Sequence, residues 1–385
     1  MPTVDAVAFP GSARSPKEPD QRDETLDSEH TVLVGERDPS QPAVTVAQAQ
    51  VSWSGRLLGN VLRQPAVLVA VLLWIAANVV VLLLADGRLP FDRPALAGLP
   101  FAQQVALPSV GLIEVFVLMT VVYFLTRRRV IPDLAARAPE RSLAGRETAA
   151  LLGYAGLGQV GGWLLGPALG YRSFSFHIAG TLVGCSTPPS VGEVWTWAIY
   201  NFVVFAVVPF LWFRRRYSAT QLNLRSTDRR NDLLVIVVVG VIEVVVEVVT
   251  FPGVFKMGLR TFLVAAPLTL AVFAIGTVLP TMVLIYAILV PRYLKLTGSS
   301  VTTVMLGGLT YAAMHFVEGW SVFTTSRNIA LSLIFVLLGY FGPGMIKTFL
   351  TLRTGNAWVH AIGYHAIAPH VMVDAPLMAK VFGLS

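Results

Sequence analysis

Charged residues are scarce in this sequence. Asp, Glu, Lys and Arg make up 13% of its 385 residues and hydrophobic residues make up 55%, whereas soluble domains carry about 25% charged residues. Together with a mean hydropathy of +0.66, this excludes an ordinary soluble domain and indicates a polytopic membrane protein. Cys185 is the single cysteine, which excludes an internal disulfide framework and any multi-cysteine metal site. We interpret Cys185 as an incidental thiol in a loop rich in Gly, Pro and Ser.

The net charge of +7 does not indicate a nucleic-acid partner. Arginines cluster beside apolar segments, at Arg127–Arg129 and Arg214–Arg216, and basic residues collect at the cytoplasmic ends of membrane helices. We therefore expect contact with membrane lipid, no nucleic acid, and a location in the bacterial inner membrane. Residues 1–55 lack apolar periodicity and are rich in Pro, Ser and charges, which predicts a disordered tail on the cytoplasmic side.

Apolar segments long enough to cross a bilayer recur along the rest of the chain. A membrane helix needs about 20 mostly apolar residues, and eight to nine such segments predict an all-α polytopic bundle. We expect residues 60–232 to form an N-terminal set of helices and loops, with His177 in an external loop, Gly170–Gly192. The sixth segment is interrupted by prolines and fits either one kinked helix or two pieces. The predicted spans are Ala66–Ala85, Val105–Thr126, Thr148–Leu169, Val194–Phe213, Leu233–Phe251, Thr261–Val290, Val301–Val317, Asn328–Gly342 and Ala357–Val373.

Three glutamates lie inside apolar segments. Glu243 and Glu247 are four residues apart, on one face of the fifth predicted span, and Glu114 lies in the second. A carboxyl at mid-membrane costs about 2.5–3.5 kcal/mol on insertion scales. We therefore expect Glu243 and Glu247 to face another helix as neutral or proton-sharing groups, with a chemical role as the alternative.

His315, His365 and His370 lie in the last apolar segments. Pro369 removes a helical donor and predicts a kink beside His365. His370 falls about 140° round an α-helix from His365, and His360 is similarly offset on the other side, so we expect these rings to share a face only loosely. Imidazoles with carboxylates could bind zinc or activate water. No spacing matches the HExxH signature, so the sequence requires no cofactor, predicts no defined metal ligands and leaves zinc as an option.

The segment RTGNAWVHAIGYHA, which contains His365, resembles the last motif of the CPBP family of intramembrane proteases (the CAAX-processing and bacteriocin-processing, or ABI, family). YAAMHF resembles the second motif and would make His315 its histidine, and SATQLNLR resembles the entry that many members carry before the domain. The resemblance covers residues 280–373 in order and spacing. It implies that residues 233–385 form a protease-like domain.

The first motif departs from the family pattern Glu-Glu-x-x-x-Arg. Alignment on the dipeptide at 291–292 places Thr281 and Met282 at the glutamates and Tyr286 at the arginine. Pro369 stands where the last motif usually has Asn or His, with His370 one step later. In active members a glutamate is held to activate water with help from the histidines, so this chain keeps two histidines and lacks the base.

Three functions follow from these observations, and whether the chain is an enzyme stays open. The leading hypothesis is a non-catalytic or altered family member in membrane protein processing or sorting, which binds a transmembrane or lipidated protein or assists an active protease paralogue. The second is an active intramembrane endopeptidase with a relocated glutamate base, and the third is a proton-coupled transporter that uses Glu114, Glu243 and Glu247. Glu318 is three residues after His315 and would be its neighbour on a continuing helix. The candidate catalytic residues are His315 and His365, followed by His370, Glu247, Glu243 and Glu318.

Overall fold

Helices are the only regular secondary structure in the part of the chain that the computed structural model describes, which comprises residues 63–91, 98–178, 188–316, 318 and 320–384. Six of these helices are long and apolar enough to cross a membrane. The chain is therefore an integral membrane protein with an all-α fold, as its composition predicted. The predicted disordered tail, residues 1–55, and Cys185 lie outside the described residues.

We number the helices in chain order and treat a helix that contains π-helical turns as one element. The helices are α1 Pro65–Ala85, α2 Phe101–Thr126, α3 Arg141–Ala168, α4 Val191–Arg214, α5 Arg229–Thr250, α6 Leu259–Thr297, α7 Ser300–Ala313, α8 Ser326–Thr354 and α9, residues 357–381. The six candidate spans are α1, α2, α4, α5, α6 and α8. Since α3, α7 and α9 are outside that set, the count of eight to nine spans stays a prediction.

Of the predicted helix ends that differ from the structure, two bear on the site. The span predicted to end at Gly342 continues as α8 to Thr354, so Lys347, which would have followed it, is buried with its Nζ 3.7 Å from the centroid of the Tyr311 ring. The Tyr311 ring packs against an amine that composition alone would place outside the apolar segment. The span predicted to include His315 ends earlier, because α7 stops at Ala313 and His315 lies in the turn after it.

Helices α7 and α8 approach closely through glycines. A Cβ added at Gly344 would lie 2.6 Å from the Tyr311 Cβ and 2.8 Å from the Gly308 Cα, and one added at Gly307 would lie 1.9 Å from the Thr348 Oγ1. In lipid, helix association depends on such close backbone contact. This packing places Tyr311, and the turn that follows α7, at the centre of the bundle.

The sixth predicted span is one continuous helix, α6, of 39 residues. Its C-terminal part is joined to α3 by a buried ion pair in which Arg292 Nε and Nη2 donate to Glu147 Oε2 at 2.8 Å and 2.6 Å. Tyr217 Oη donates to the other oxygen of Glu147 at 2.8 Å. Burial and that hydrogen bond raise the pKa of the Tyr217 hydroxyl, so it keeps the proton that it donates.

The loop between α8 and α9 is tied to the polar segment that follows α2 and to the first turn of α5. Arg129 pairs with Asp232, which also accepts from Asn356 Nδ2 at 2.9 Å. Arg137 Nη1 donates to the carbonyl of Gly355 at 2.7 Å, and Gly355 adopts a left-handed conformation with φ +63°. These bonds determine where α9 starts and therefore where its histidines lie.

The described residues belong to one compact unit. Its largest buried apolar cluster contains residues from both sides of the predicted border between 232 and 233, among them Leu118 and Tyr286. The apolar core thus does not separate residues 60–232 from residues 233–385, and the protease-like extent of the second range stays a prediction.

Candidate functional site

Four buried histidines lie against one another inside the bundle. The ring centroids are 4.5 Å apart for His177 and His315, 5.8 Å for His177 and His370, and 5.1 Å for His365 and His370. We call His177, His315, His365 and His370 the histidine cluster. The structure thus brings the three histidines singled out in the sequence together and adds His177.

His177 lies in the non-helical segment after α3, as predicted, but its side chain is buried in the bundle. The membrane side of this segment stays a prediction. Phe174 and Phe176, two residues apart, are buried and draw the segment after α3 into the bundle. From α4, Asn201 Nδ2 lies 3.2 Å and Trp197 Nε1 3.2 Å from the carbonyl of Phe176, to which both donate. The alternation of aromatic residues at 174 and 176 is the signal that could have indicated a buried segment.

The same segment contacts the turn that carries His315. Ser175 Oγ donates to the carbonyl of Met314 at 3.2 Å and lies 3.0 Å from the side-chain amide of Gln159 on α3. Because Ser175 and the Met314 carbonyl are buried, they have little access to water and depend on nearby protein groups for hydrogen bonds. His177 and His315 are therefore held as neighbours by the backbone segments on which they lie.

The expectation that the histidines of α9 share a helix face only loosely is wrong. Residues Ala361–Met372 are π-helical, and a π-helix bonds residue i to residue i+5. Side chains five apart are then closer to one face than they are in an α-helix, which brings His365 and His370 together, with their ring centroids 5.1 Å apart. The predicted irregularity at Pro369 takes the form of wide π-helical turns.

His365 contacts the position aligned with the first-motif glutamates. Its Nδ1 lies 3.3 Å from Thr281 Oγ1 on α6, and its Nε2 lies 3.2 Å from the Tyr311 hydroxyl on α7. Thr281 Oγ1 donates to the carbonyl of Thr277 at 2.9 Å, so it is an acceptor toward His365. Two hydroxyls therefore contact the imidazole, and one of them, that of Thr281, stands at a position where the family pattern has a glutamate.

The other two positions of the first motif are apolar or aromatic. Met282 is buried in the main apolar cluster. The Tyr286 ring lies against His360, with the ring centroids 4.0 Å apart. The segments that carry the three motifs are thus in contact, but the first segment presents no carboxyl group there.

Glu318 approaches the histidine cluster from the other side. Its Oε1 is 3.4 Å from His177 Nδ1. The predicted helical neighbourhood with His315 is wrong because α7 has already ended, but the turn still brings one ligand atom each of His177, His315 and Glu318 within 4.8 Å of one another. Among the residues that the structure describes, this is the one group of histidine and carboxyl side chains that is compact enough to hold a metal ion.

His370 has an acidic partner that the sequence reading missed. Its Nδ1 lies 3.3 Å from Asp374 Oδ2, one α-helical turn further along α9. The ring stacks on Phe273 with the centroids 4.2 Å apart. The spacing of four between His370 and Asp374 was the available signal.

The other membrane glutamates form a separate group. Glu243 on α5 is buried, and its carboxyl group interacts with that of Glu114 on α2. A hydrogen bond between two carboxyl groups requires a proton on one of them. Glu247 is half-buried one turn further along. Of the candidate glutamates, Glu318 is the one in contact with the histidine cluster. The transporter hypothesis relies instead on Glu114 and Glu243.

No protein-family model, curated protein or solved structure matches this chain. Kinship with the CPBP family therefore stays a prediction that depends on the motif residues and their contacts.

Proposed function

We propose that this chain is a non-proteolytic CPBP-type protein of the bacterial inner membrane, with its N-terminus in the cytoplasm, that binds a transmembrane or lipidated protein during membrane protein processing or sorting. The observation that carries the proposal is the contact of 3.3 Å between Thr281 Oγ1 and His365 Nδ1. A threonine hydroxyl cannot take a proton from water near neutral pH as a glutamate can. This chain therefore has the last-motif histidine, His365, but no glutamate beside it to act as the general base.

The arrangement of α9 supports the family kinship on which this proposal depends. In a π-helical turn, residue i+5 takes the place that residue i+4 has in an α-helix. His370 therefore lies where the family pattern has an Asn or His four residues after the last-motif histidine. Polar side chains are costly inside a membrane and are retained for a role. Without a base, we assign that role to holding the bundle in a shape that receives a partner segment.

The experiment compares binding with cleavage in one preparation. The full chain is reconstituted in liposomes with a fluorescent peptide that carries a C-terminal prenyl group, and the same peptide without lipid is the control. We expect saturable binding of the lipidated peptide above that to protein-free liposomes, and an intact peptide by mass spectrometry. Absence of binding to this peptide and to a transmembrane peptide would contradict the proposal.

An active endopeptidase with a relocated base is the second candidate, and the contact of Glu318 Oε1 with His177 Nδ1 favours it. Cleavage in the same liposomes would support this candidate if Glu318→Gln abolished it and Glu247→Gln did not. The half-buried Glu247 is a matched control because it lies outside the contact with His177. If the double variant His315→Ala with His365→Ala still cleaved the peptide, the histidine cluster would not be the active site.

A further inference from the structure

Three side chains from separate segments converge beneath the turn that follows α7. His177 comes from the segment after α3, His315 from the turn itself, and Glu318 from the chain between α7 and α8, with one ligand atom of each within 4.8 Å of the other two. Their exposed fractions are 8%, 0% and 5%. Polar groups that are this deeply buried are normally paired.

Both imidazoles nevertheless have a buried nitrogen without a hydrogen-bond partner, Nε2 of His177 and Nε2 of His315. Glu318 Oε1 makes no hydrogen bond either, although it lies 3.4 Å from His177 Nδ1. An unsatisfied buried polar group costs about 1–3 kcal/mol, so unsatisfied groups gathered in one place need a common explanation. A cation bound between them would supply one.

The surroundings of His315 prepare it to bind a metal through Nε2. Its Nδ1 lies 2.5 Å from the carbonyl of Tyr311, which places the ring proton on Nδ1 and leaves a lone pair on Nε2. Metal-binding histidines usually donate their second nitrogen to a carbonyl or carboxylate in this way. The ring also stacks on Tyr340, with the centroids 4.0 Å apart and the planes at 17°, which limits its rotation.

The ligand chemistry selects the ion. Two imidazoles and one carboxylate are the His₂Glu set that holds zinc with its fourth position open, whereas magnesium and calcium prefer oxygen ligands. His370, whose ring packs on that of His177, has its own unpartnered Nε2 and an Asp374 carboxylate behind its Nδ1. We propose that His177, His315 and Glu318 bind a zinc ion inside the bundle.

The site is tested by metal content. The purified full chain in detergent is stripped with a chelator, equilibrated with zinc alone and assayed by elemental mass spectrometry, and cobalt is added in a parallel sample for its visible spectrum. We expect one zinc ion per chain and the intense absorption bands of four-coordinate cobalt. Less than about a tenth of an ion per chain, or the weak bands of six-coordinate cobalt, would overturn the proposal.

Substitutions locate the ion. His177→Gln, His315→Gln and Glu318→Gln should each weaken zinc binding by more than about 100-fold, because even outer-shell partners of metal ligands are worth about 10- to 100-fold. His360→Gln is the matched control, since His360 is also fully buried and both of its ring nitrogens lack partners. Equal loss of zinc in His360→Gln, or unchanged affinity in His315→Gln, would refute the assignment.

Loss of the fold is separated from loss of the ligand by comparing helical circular dichroism and the elution volume of each variant with those of the unaltered chain. The cobalt spectrum of the unaltered chain tests the site without any substitution. Since metal content is read without a peptide, failure of this proposal is distinguishable from failure of the proposed binding function.

Discussion

Breaking the buried ion pair between Glu147 and Arg292 tests how α3 is held against α6. The exposed fractions of the two residues are 9% and 1%, and the Arg292 guanidinium carbon lies 4.7 Å from the centroid of the Phe213 ring and 4.8 Å from that of Tyr217. In Glu147→Gln the guanidinium would stay buried without a counter-charge. Breaking such a pair costs about 3–5 kcal/mol. We expect a loss of about 3 kcal/mol, at the lower end, because the glutamine oxygen still accepts one hydrogen bond.

The measurement is the free energy of unfolding of the full chain in mixed micelles, by denaturant titration. The double variant Glu147→Leu with Arg292→Met removes both charges and replaces them with apolar side chains. It should recover most of the loss, because uncharged replacements of a buried ion pair are often neutral or stabilising by about 1–4 kcal/mol.

The ion pair between Arg172 and Glu193 is the matched control. The Arg172 side chain is 37% exposed, and pairs open to water contribute about 0–1 kcal/mol. Glu193→Gln should therefore cost no more than about 1 kcal/mol. A loss below about 1 kcal/mol in Glu147→Gln, or a double variant as unstable as the single one, would refute the reasoning.

Two further predictions concern the interior of the bundle. Gly344→Ala places a Cβ within 2.6 Å of that of Tyr311 and should cost about 1–3 kcal/mol of unfolding free energy by overpacking. In contrast, Gly339→Ala on the same helix meets nothing within 4 Å and should be neutral or stabilising by about 0.5–1 kcal/mol; equal effects of the two would contradict the close packing. Glu243→Gln should change the unfolding free energy by less than about 1 kcal/mol because its amide can donate to Glu114, while Glu243→Leu should cost about 1–3 kcal/mol by leaving that carboxyl unpaired. A large loss in Glu243→Gln would instead indicate an ionised, paired carboxylate.

Apolar length was sufficient to predict where most helices lie. The first predicted span, Ala66–Ala85, differs from α1 by one residue, because a bilayer tolerates few polar residues and the boundaries are therefore marked by composition. The end of α8 was missed because Lys347 is shielded by Tyr311 from another helix. Such a contact depends on the packed structure and is not visible in local composition.

The site was predictable only in part. Motif resemblance singled out His315 and His365, which the structure places in one cluster. His177 was missed because its position depends on hydrogen bonds from Asn201 on α4 to the carbonyls of Ser175 and Phe176, which precede it in the chain. Asp374 lies beyond the last motif, where the resemblance offered no guidance. Contacts between residues that are distant in the sequence can be recognised only once the fold is known.

The wide turns of α9 affect how kinship should be looked for. A single inserted residue is enough to convert one α-helical turn into a π-helical turn, and the chain downstream then keeps its orientation while every later position is renumbered by one. Side chains that correspond in space, such as His370 here, would stand one column away from their counterparts in an ungapped alignment. A profile that allows a one-residue gap inside the last membrane helix would compare the residues that actually face the same interior.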